Sequence, residues 1–363
     1  MTNDVEELKQ FAGVHAQAQR ISRAQYETVL AHVTHDGEGP GSWTAEWSNA
    51  AREREQHGDP LGASRLFTMA RFPYVDGDAR HQAWERAVAA FDRWRSEQAA
   101  DLRPVDVDVD GGRVRCLMVG AANRDAPFVI VMGGIVSTKE QWAPVLLRLS
   151  RLGMAGVVTE MPGTGANTMP YQQDSWRMFP AILDAVGDRA GQGPRYAMAM
   201  SFSGHLALRS ALEEPRIQAV LTVGAPISSV FADPAWQLQL PRLTGDTLAH
   251  LTGVTRAELG DRLRGWALTP EQLAGLEIPV SYVASKRDEI IPAGDIELLR
   301  RTVRNLSLLE NDDVHGSPNY NKVIGPWLVR ELLRVNRSDG LRRAVLSSVI
   351  PLLRAAGGLH RTR

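Results

Sequence analysis

The chain has a single cysteine in 363 residues, Cys116, which excludes an intramolecular disulfide framework and any zinc site built from several thiolates. Cys116 lies inside the apolar run 114–119, where a thiol reads as a small buried hydrophobe. Long hydrophobic runs are also missing. No stretch approaches the ~18 to 20 uninterrupted apolar residues that a spanning helix needs, and the acidic start, Met1 to Glu7, carries no apolar export core. A cytoplasmic protein with no membrane partner is the expectation. Charge of one sign is absent too: Lys+Arg 41 against Asp+Glu 42 leaves a formal net charge of -1, so no global field recruits nucleic acid. What is present is an ordinary globular composition, and a length that can bury a large core with room for an accessory segment.

Residues 1–100 read as helical. Val5, Leu8, Phe11 and Val14, then Tyr26, Val29, Leu30 and Val33, recur mostly at spacings of three and four. Gly37, Gly39, Pro40 and Gly41 interrupt the pattern. Ser42 is then placed to cap a helix carrying Trp43, Trp47 and Ala50 on one face. Asp59 and Pro60 break the chain again before helical stretches over 61–72 and 81–100, the last with Trp84, Val88, Phe91 and Trp94 in a stripe that reads as helix packing. Near Asp101 the period changes to two. Val105 to Asp110 alternates strictly, Gly111 and Gly112 supply a hairpin turn, and 113–119 returns, which predicts an antiparallel edge. The alternating acids lack the pattern and terminal Glu of a calcium loop and read as a solvated face.

From Pro127 onward, short apolar strands (128–132, 155–159, 196–200, 219–223, 280–284, 306–309) alternate with helical stretches (141–151, 174–190, 203–213, 295–303, 320–335). This is the pattern of a mostly parallel sheet with helices on both faces. Residues 226–275 do not fit the alternation and read as a helical lid insertion, long enough to be functional. The expected division is a helical cap over 1–100, an α/β core over 101–336 and a basic tail over 337–363. The tail carries Leu341, Val345, Val349, Leu352 and Leu353 at near-helical spacing. Two uses fit it: docking on a partner or second copy, giving a homodimer, or packing on its own domain.

The segment Arg195 to Gly204 ends an apolar strand abruptly on Ser201 and starts a helix. It is a blurred nucleophile elbow, with Ala199 and Ser203 where glycines usually stand and Gly204 one step further on. Small residues are required there because a serine held at a strained strand-to-helix turn brings its neighbours close together. Such a serine is weak without a base and a group that orients the base. Asp288 and His315 follow the strands at 280–284 and 306–309, at the sheet edge where parallel strands open onto one crevice. Glu289 is the rival acid. The order Ser201, Asp288, His315 is that of the α/β-hydrolase arrangement. After the strand at 128–132, Gly133 and Gly134 let backbone N–H groups turn toward a reacting oxygen, which makes the amides of Ile135 and Phe202 the candidate oxyanion donors. Glu160 to Gly165 shapes the crevice floor, and its Gly163-x-Gly165 is too short for a dinucleotide or P-loop fingerprint.

These residues resemble the FrsA-like group of α/β-hydrolases, which includes a 2,6-dihydroxypseudooxynicotine hydrolase and fungal polyketide-shortening hydrolases. The resemblance runs from about Trp43 to Val335 and rests on Gly133 to Glu140, Met161 to Gly165, the surroundings of Ser201, and the spacing to Asp288 and His315. It implies a cofactor-free serine hydrolase whose helical N-terminal segment closes over the active site, with several members cleaving a carbon–carbon bond beside a ketone. Ala199 and Ser203 depart from the elbow pattern, and Val136 stands where some relatives carry a polar residue. The expected activity is hydrolysis of a ketone, ester or thioester of a small aromatic or polyketide-like molecule, with Trp236 and Trp266 of the insertion shaping the substrate pocket. The alternatives are acyl transfer or cyclisation from the same acyl-enzyme, and a non-catalytic binding protein on the same fold. The core alone is expected to hold the whole reactive set, with the cap closing the crevice to water and Trp84, Phe91 and Trp94 on the face of the cap that packs downward.

Overall fold

The computed structural model describes residues 3–98, 101–338 and 340–359. The expected hairpin forms as β1 (Arg103–Val109) and β2 (Gly112–Val119), with Asp106 opposite Arg115 and Asp108 opposite Arg113. The outward acids are thus occupied by cross-strand arginines, Arg115 Nε lying 2.7 Å from Asp106 Oδ1. Six further strands follow: β3 (Phe128–Met132), β4 (Ala155–Thr159), β5 (Arg195–Ala199), β6 (Ile217–Val223), β7 (Val280–Ser285) and β8 (Leu306–Asn311). They form one sheet in the order β1-β2-β4-β3-β5-β6-β7-β8. The first two pairings are antiparallel and all those from β4 to β8 are parallel. Every residue of β3, β4 and β7 is buried, as strands covered by helices on both faces require.

The strand order decides where a site can form. The chain moves from β3 outward to β4 and then back across to β5, so connections leave the carboxyl ends of β3 and β5 in opposite directions and open a crevice between them. The elbow follows β5 and the Gly133-Gly134 turn follows β3.

The N-terminal segment folds as five helices, Val5–Ala18, Arg23–His32, Trp43–Gln56, Pro60–Ala70 and Asp78–Ser96. The first apolar stretch, read as continuous, breaks at Gln19 to Ser22. Arg20 there adopts φ 63°, and Ser22 caps the next helix through a bond from Gln25 N. Ser42 caps the third helix, and Trp43 and Trp47 are fully buried, their rings 5.7 Å apart. The expected end of the fifth helix at Ala100 lies outside the described residues.

The stripe serves as a packing face: Phe91, with Trp94 half-buried beside it, belongs to the hydrophobic cluster that includes Leu102, Leu117, Leu146 and Leu147. Trp84 lies against His81 on its own helix, ring centroids 5.5 Å apart. A helical stripe fixes which side chains share a face, but what that face meets is decided by the path of the chain.

Between β6 and β7 the insertion forms the short helices Ser229–Ala232, Pro234–Gln237, Leu259–Arg262 and Pro270–Ala274 around a longer one, Arg242–Thr252. Asp295, 1% exposed, anchors its start by accepting the N–H groups of Ile227, Ser228 and Ser229 at 2.9 to 3.1 Å. The tail forms a helix, Gly340–Leu359, packed on Asn321–Val335. Ile350 is buried and Leu346 and Leu353 are partly covered, while Leu341, Val345, Val349 and Leu352 stay exposed. The last tail residues, 360–363, lie outside the described ones. Among the described residues no helix is long and apolar enough to cross a membrane.

Candidate active site

Ser201 closes β5 with φ 56° and ψ -131°, a left-handed conformation unusual for a residue with a side chain. The turn is held from both sides: Ser201 N donates to Val223 O at 2.8 Å, and Gly204 N donates to Ser201 O at 2.8 Å. The departures from the elbow pattern have a structural basis. Ser203 is fully buried and spends its hydroxyl on the carbonyls of Met132 and Met200, at 3.2 and 2.9 Å. The need for glycine has moved to 204, where a Cβ would stand 2.1 Å from Thr222 Oγ1 and 2.7 Å from Ala225 Cβ.

The sheet brings Ser201, His315 and Asp288 together. Ser201 Oγ is 3.0 Å from His315 Nε2, and His315 Nδ1 is 2.9 and 3.0 Å from the two carboxylate oxygens of Asp288. Asp288 Oδ1 also accepts the N–H groups of Ile290 and Ile291, which fixes the carboxylate against the ring. Glu289 acts on the backbone instead, its Oε2 accepting the N–H of His315 at 3.0 Å. Burial opposes a charged imidazole, but the charge and hydrogen bond of Asp288 and the charge of Glu289 outweigh it, so the His315 pKa is raised above its ordinary 6.5.

Gly134 lies directly against the serine, since a Cβ there would sit 3.1 Å from Ser201 Cβ. Gly133 has no more room, with Trp142 Nε1 at 2.2 Å and Ser137 Cβ at 2.4 Å from the same hypothetical atom. The carbonyl of Gly134 accepts Ser137 N at 3.0 Å. That bond turns the Gly134–Ile135 peptide so that the amide of Ile135 points away from Ser137. Neither Ile135 N nor Phe202 N has a protein acceptor among the described residues, and Phe202 opens the helix Phe202–Ala211, whose first amides have no intrahelical partner.

The loop carrying Ile135 is pinned through its carbonyls by groups from elsewhere. Thr164 Oγ1 donates to Ile135 O at 3.1 Å, and the guanidinium of Arg71, from the N-terminal segment, donates to Val136 O and to Pro73 O. Arg71 is 2% exposed, and burial lowers its pKa to about 10 against the pull of Glu160 and Glu140, which leaves it charged at neutral pH. Beneath the loop, Lys139 Nζ bridges Glu140 at 2.8 Å and Glu160 at 3.0 Å. Despite their burial, the two carboxylates raise the Lys139 pKa. Glu160 Oε2 also takes Lys139 N at 2.9 Å, so the β3 and β4 loops are bolted together by one buried ionic cluster.

His15 joins this neighbourhood from the first helix. Its ring lies 4.7 Å from that of Phe72, and burial, then the charges of Arg71 and His315, push its pKa down to about 3. Sequence reasoning missed His15, Arg71, Lys139 and Glu160 as groups around the site. Trp236 donates Nε1–H to Ile290 O at 2.8 Å and so braces the Asp288 loop. Trp266 is 5% exposed, edge-on to Tyr171 with centroids 4.9 Å apart, and its carbonyl meets His205 Nε2 at 2.9 Å. Its ring packs between Tyr171 and Phe231, 6.3 Å from the centroid of the latter, and its backbone rather than its ring meets the helix after Ser201.

Comparison with known proteins gives this geometry a family. The description "Esterase FrsA-like" matches residues 5–325. "Esterase FrsA" of Citrobacter koseri (strain ATCC BAA-895 / CDC 4225-83 / SGSC4696) is 26% identical over 321 residues, covering 82% of this chain and 76% of that esterase. Among solved structures, AbyA5 wild type is 46% identical with a TM-score of 0.92, over 97% of this chain and 100% of that one. The 2,6-dihydroxy-pseudo-oxynicotine hydrolase is 20% identical with a TM-score of 0.68, over 88% and 96%, and shares the fold. The chain is an α/β-hydrolase enzyme and belongs to the FrsA-like esterase family.

Proposed function

We propose that the protein is a serine esterase in which Ser201 is the nucleophile, His315 the base and acid, and Asp288 the group that orients and steadies the imidazole. The observation that carries this reading is the unbroken chain of contacts from Ser201 Oγ through both ring nitrogens of His315 to the Asp288 carboxylate, 3.0 and 2.9 Å long. Ser201 Oγ attacks the acyl carbon while Nε2 takes its proton. The oxyanion is received by the free amides of Ile135 and Phe202. His315 then returns the proton to the departing oxygen, or to sulfur in a thioester, and an acyl-enzyme remains. Water, deprotonated by the same imidazole, releases the acid.

The substrate class we favour is an ester, thioester or ketone of a small aromatic or polyketide-like molecule. With a ketone the proton returns to carbon, so the departing fragment must be a stabilised carbanion such as an enolate. The His315 side chain keeps 16% exposure, which supports water as the acceptor over a transfer reaction. No cofactor is needed by any of these steps.

A fluorophosphonate probe tests the assignment. Stoichiometric labelling of the wild type, lost in Ser201→Ala together with turnover of p-nitrophenyl acetate, is the expected outcome. Ser201→Ala retaining more than about a thousandth of the wild-type kcat would remove the serine from the mechanism.

A further inference from the structure

A cleft of about 90 Å³ runs along the seam between the N-terminal segment and the core, walled by Arg20, Ser64, Arg65, Ser137, Arg148 and His15. The three arginines come from three different elements: the turn at Gln19 to Ser22, the helix Pro60–Ala70 and the helix Lys139–Ser150. No ion pair or side-chain hydrogen bond holds any of them among the described residues, although ion pairs are plentiful elsewhere on the surface. Arg151 adds a fourth positive charge to the group around Arg148.

Convergence of unpaired like charges is unfavourable for the empty protein. Burial first, and then Arg20, lower the pKa of Arg65, with Asp59 opposing; burial, Arg20, Arg65 and Arg151 lower that of Arg148. The neighbouring carboxylates are already engaged. Glu140 lines the cleft but is bridged by Lys139 at 2.8 Å, and Asp59 caps its own helix and lies 3.6 Å from Arg54. An anion seated among the three guanidiniums would relieve the repulsion and take up their free donors.

The position points to a use. Ser137, in the cleft wall, donates its N–H to Gly134 O at 3.0 Å, and Gly134 lies directly against Ser201; His15, also in the wall, is close enough to His315 for the charge of His315 to lower the His15 pKa. We propose that this cleft is an anion subsite of the active site, in which Arg20, Arg65 and Arg148 hold a carboxylate or phosphate carried by the acyl part of the substrate. The subsite rests on the serine-esterase reading above. It deepens that reading by making the natural substrate an anion whose charged end lies apart from the scissile bond.

The test uses the full chain and p-nitrophenyl monoesters of adipic, pimelic and suberic acids, each paired with the uncharged methyl-terminated ester of the same length. Wild type should give a higher kcat/KM for at least one anionic ester than for its neutral partner, and added salt should erode that preference. In Arg65→Glu/Arg148→Glu the anionic-to-neutral ratio should fall at least about tenfold, the worth of one lost charged hydrogen bond. Arg20→Glu/Arg148→Glu should repeat the result, with circular dichroism melts identifying whichever pair stays folded. Inorganic phosphate should inhibit the neutral esters competitively in the wild type and lose that effect in the variants.

A flat ratio across the wild-type series, or a preference that survives both double variants, would overturn the subsite. So would phosphate that binds in calorimetry without touching ester kinetics, since the anion would then sit off the substrate path. A wild type that neither reacts with fluorophosphonate nor turns over any ester sinks the esterase reading itself. Labelling of Ser201 with a flat ratio sinks only the subsite.

Discussion

His205 sits one turn beyond Ser201 on the helix Phe202–Ala211, 3% exposed, with Nε2 2.9 Å from the carbonyl oxygen of Trp266 in the insertion. Burial, opposed by the Trp266 hydrogen bond and aided by the charge of Arg209, pushes its pKa from 6.5 to about 4. The folded chain therefore keeps the ring neutral, with Nε2–H donating to Trp266, at pH values where the unfolded chain already binds a proton. Stability from this site is complete above pH 6.5 and is lost as the pH falls toward 4. At pH 5 the loss relative to pH 7 comes to about 2 kcal/mol, from the ratio of the two proton-binding polynomials. His205→Gln is the informative substitution, because the amide can still donate to Trp266 and does not titrate. Urea unfolding at both pH values should show the wild type losing about 2 kcal/mol more than the variant between pH 7 and pH 5. His15, with its pKa at about 3, and His315, raised above 6.5, also titrate with folding and in opposite senses, but they do so equally in both proteins and cancel in the difference. Equal acid sensitivity of the two proteins would refute the claim that His205 is buried in the neutral form.

Four further outcomes follow from the site. Asp288→Asn should cut kcat on p-nitrophenyl acetate by about three to four orders of magnitude by misorienting the ring. Glu289→Gln should keep turnover but move the acid limb of kcat/KM from above pH 6.5 toward lower pH, because a charge that raises the His315 pKa is removed; the reverse order of damage would transfer the acid's role to Glu289. Gly134→Ala places a Cβ 3.1 Å from Ser201 Cβ, so the nucleophile must give by a few tenths of an ångström and kcat should drop about tenfold, whereas Gly294→Ala, with nothing within 4 Å, is the neutral control. Arg71→Met strips the Val136 carbonyl of its charged donor and should lower kcat/KM by about tenfold or more, while Arg71→Lys recovers part of the loss; full activity in Arg71→Met would mean that the oxyanion loop holds its shape unaided.

The parts of the molecule legible from the sequence are those in which chain order and local periodicity carry the spatial information. A parallel sheet sends the end of every strand to one edge, so a serine, an acid and a histidine that each follow a strand are delivered to one crevice, and their order along the chain identifies them. Even the atypical elbow was readable, because Ala199, Ser203 and Gly204 answer a demand for small volume that several residue types can meet. Groups reaching the site from elsewhere leave no such trace. His15 lies on an amphipathic helix and Arg71 just past the end of another, where nothing local separates a residue that meets the Ile135 loop from one that packs on a neighbouring helix. The stripe of Trp84, Phe91 and Trp94 was legible as a packing face, but it fixed a face without fixing which core residues the face would meet.

That asymmetry bears on how separable the N-terminal segment is from the chemistry. The sequence leads to the expectation that the core holds everything the reaction needs, because Ser201, Asp288, His315 and the amides of Ile135 and Phe202 all fall after residue 100. Positions alone support that view, but a backbone donor is useful only if its loop is held in the right conformation. The loop bearing Ile135 is held by Thr164 from the core and by Arg71 from the segment, a buried guanidinium whose acceptors are the carbonyls of Val136 and Pro73. Without residues 1–98 the Val136 carbonyl loses that charged donor, Phe67 and Phe72 leave the hydrophobic cluster that also contains Ile135 and Val136, and water reaches the loop from the side. On the proposed mechanism the segment would therefore serve as one wall of the oxyanion hole, and a truncated core should lose activity even toward esters too small to reach the cap.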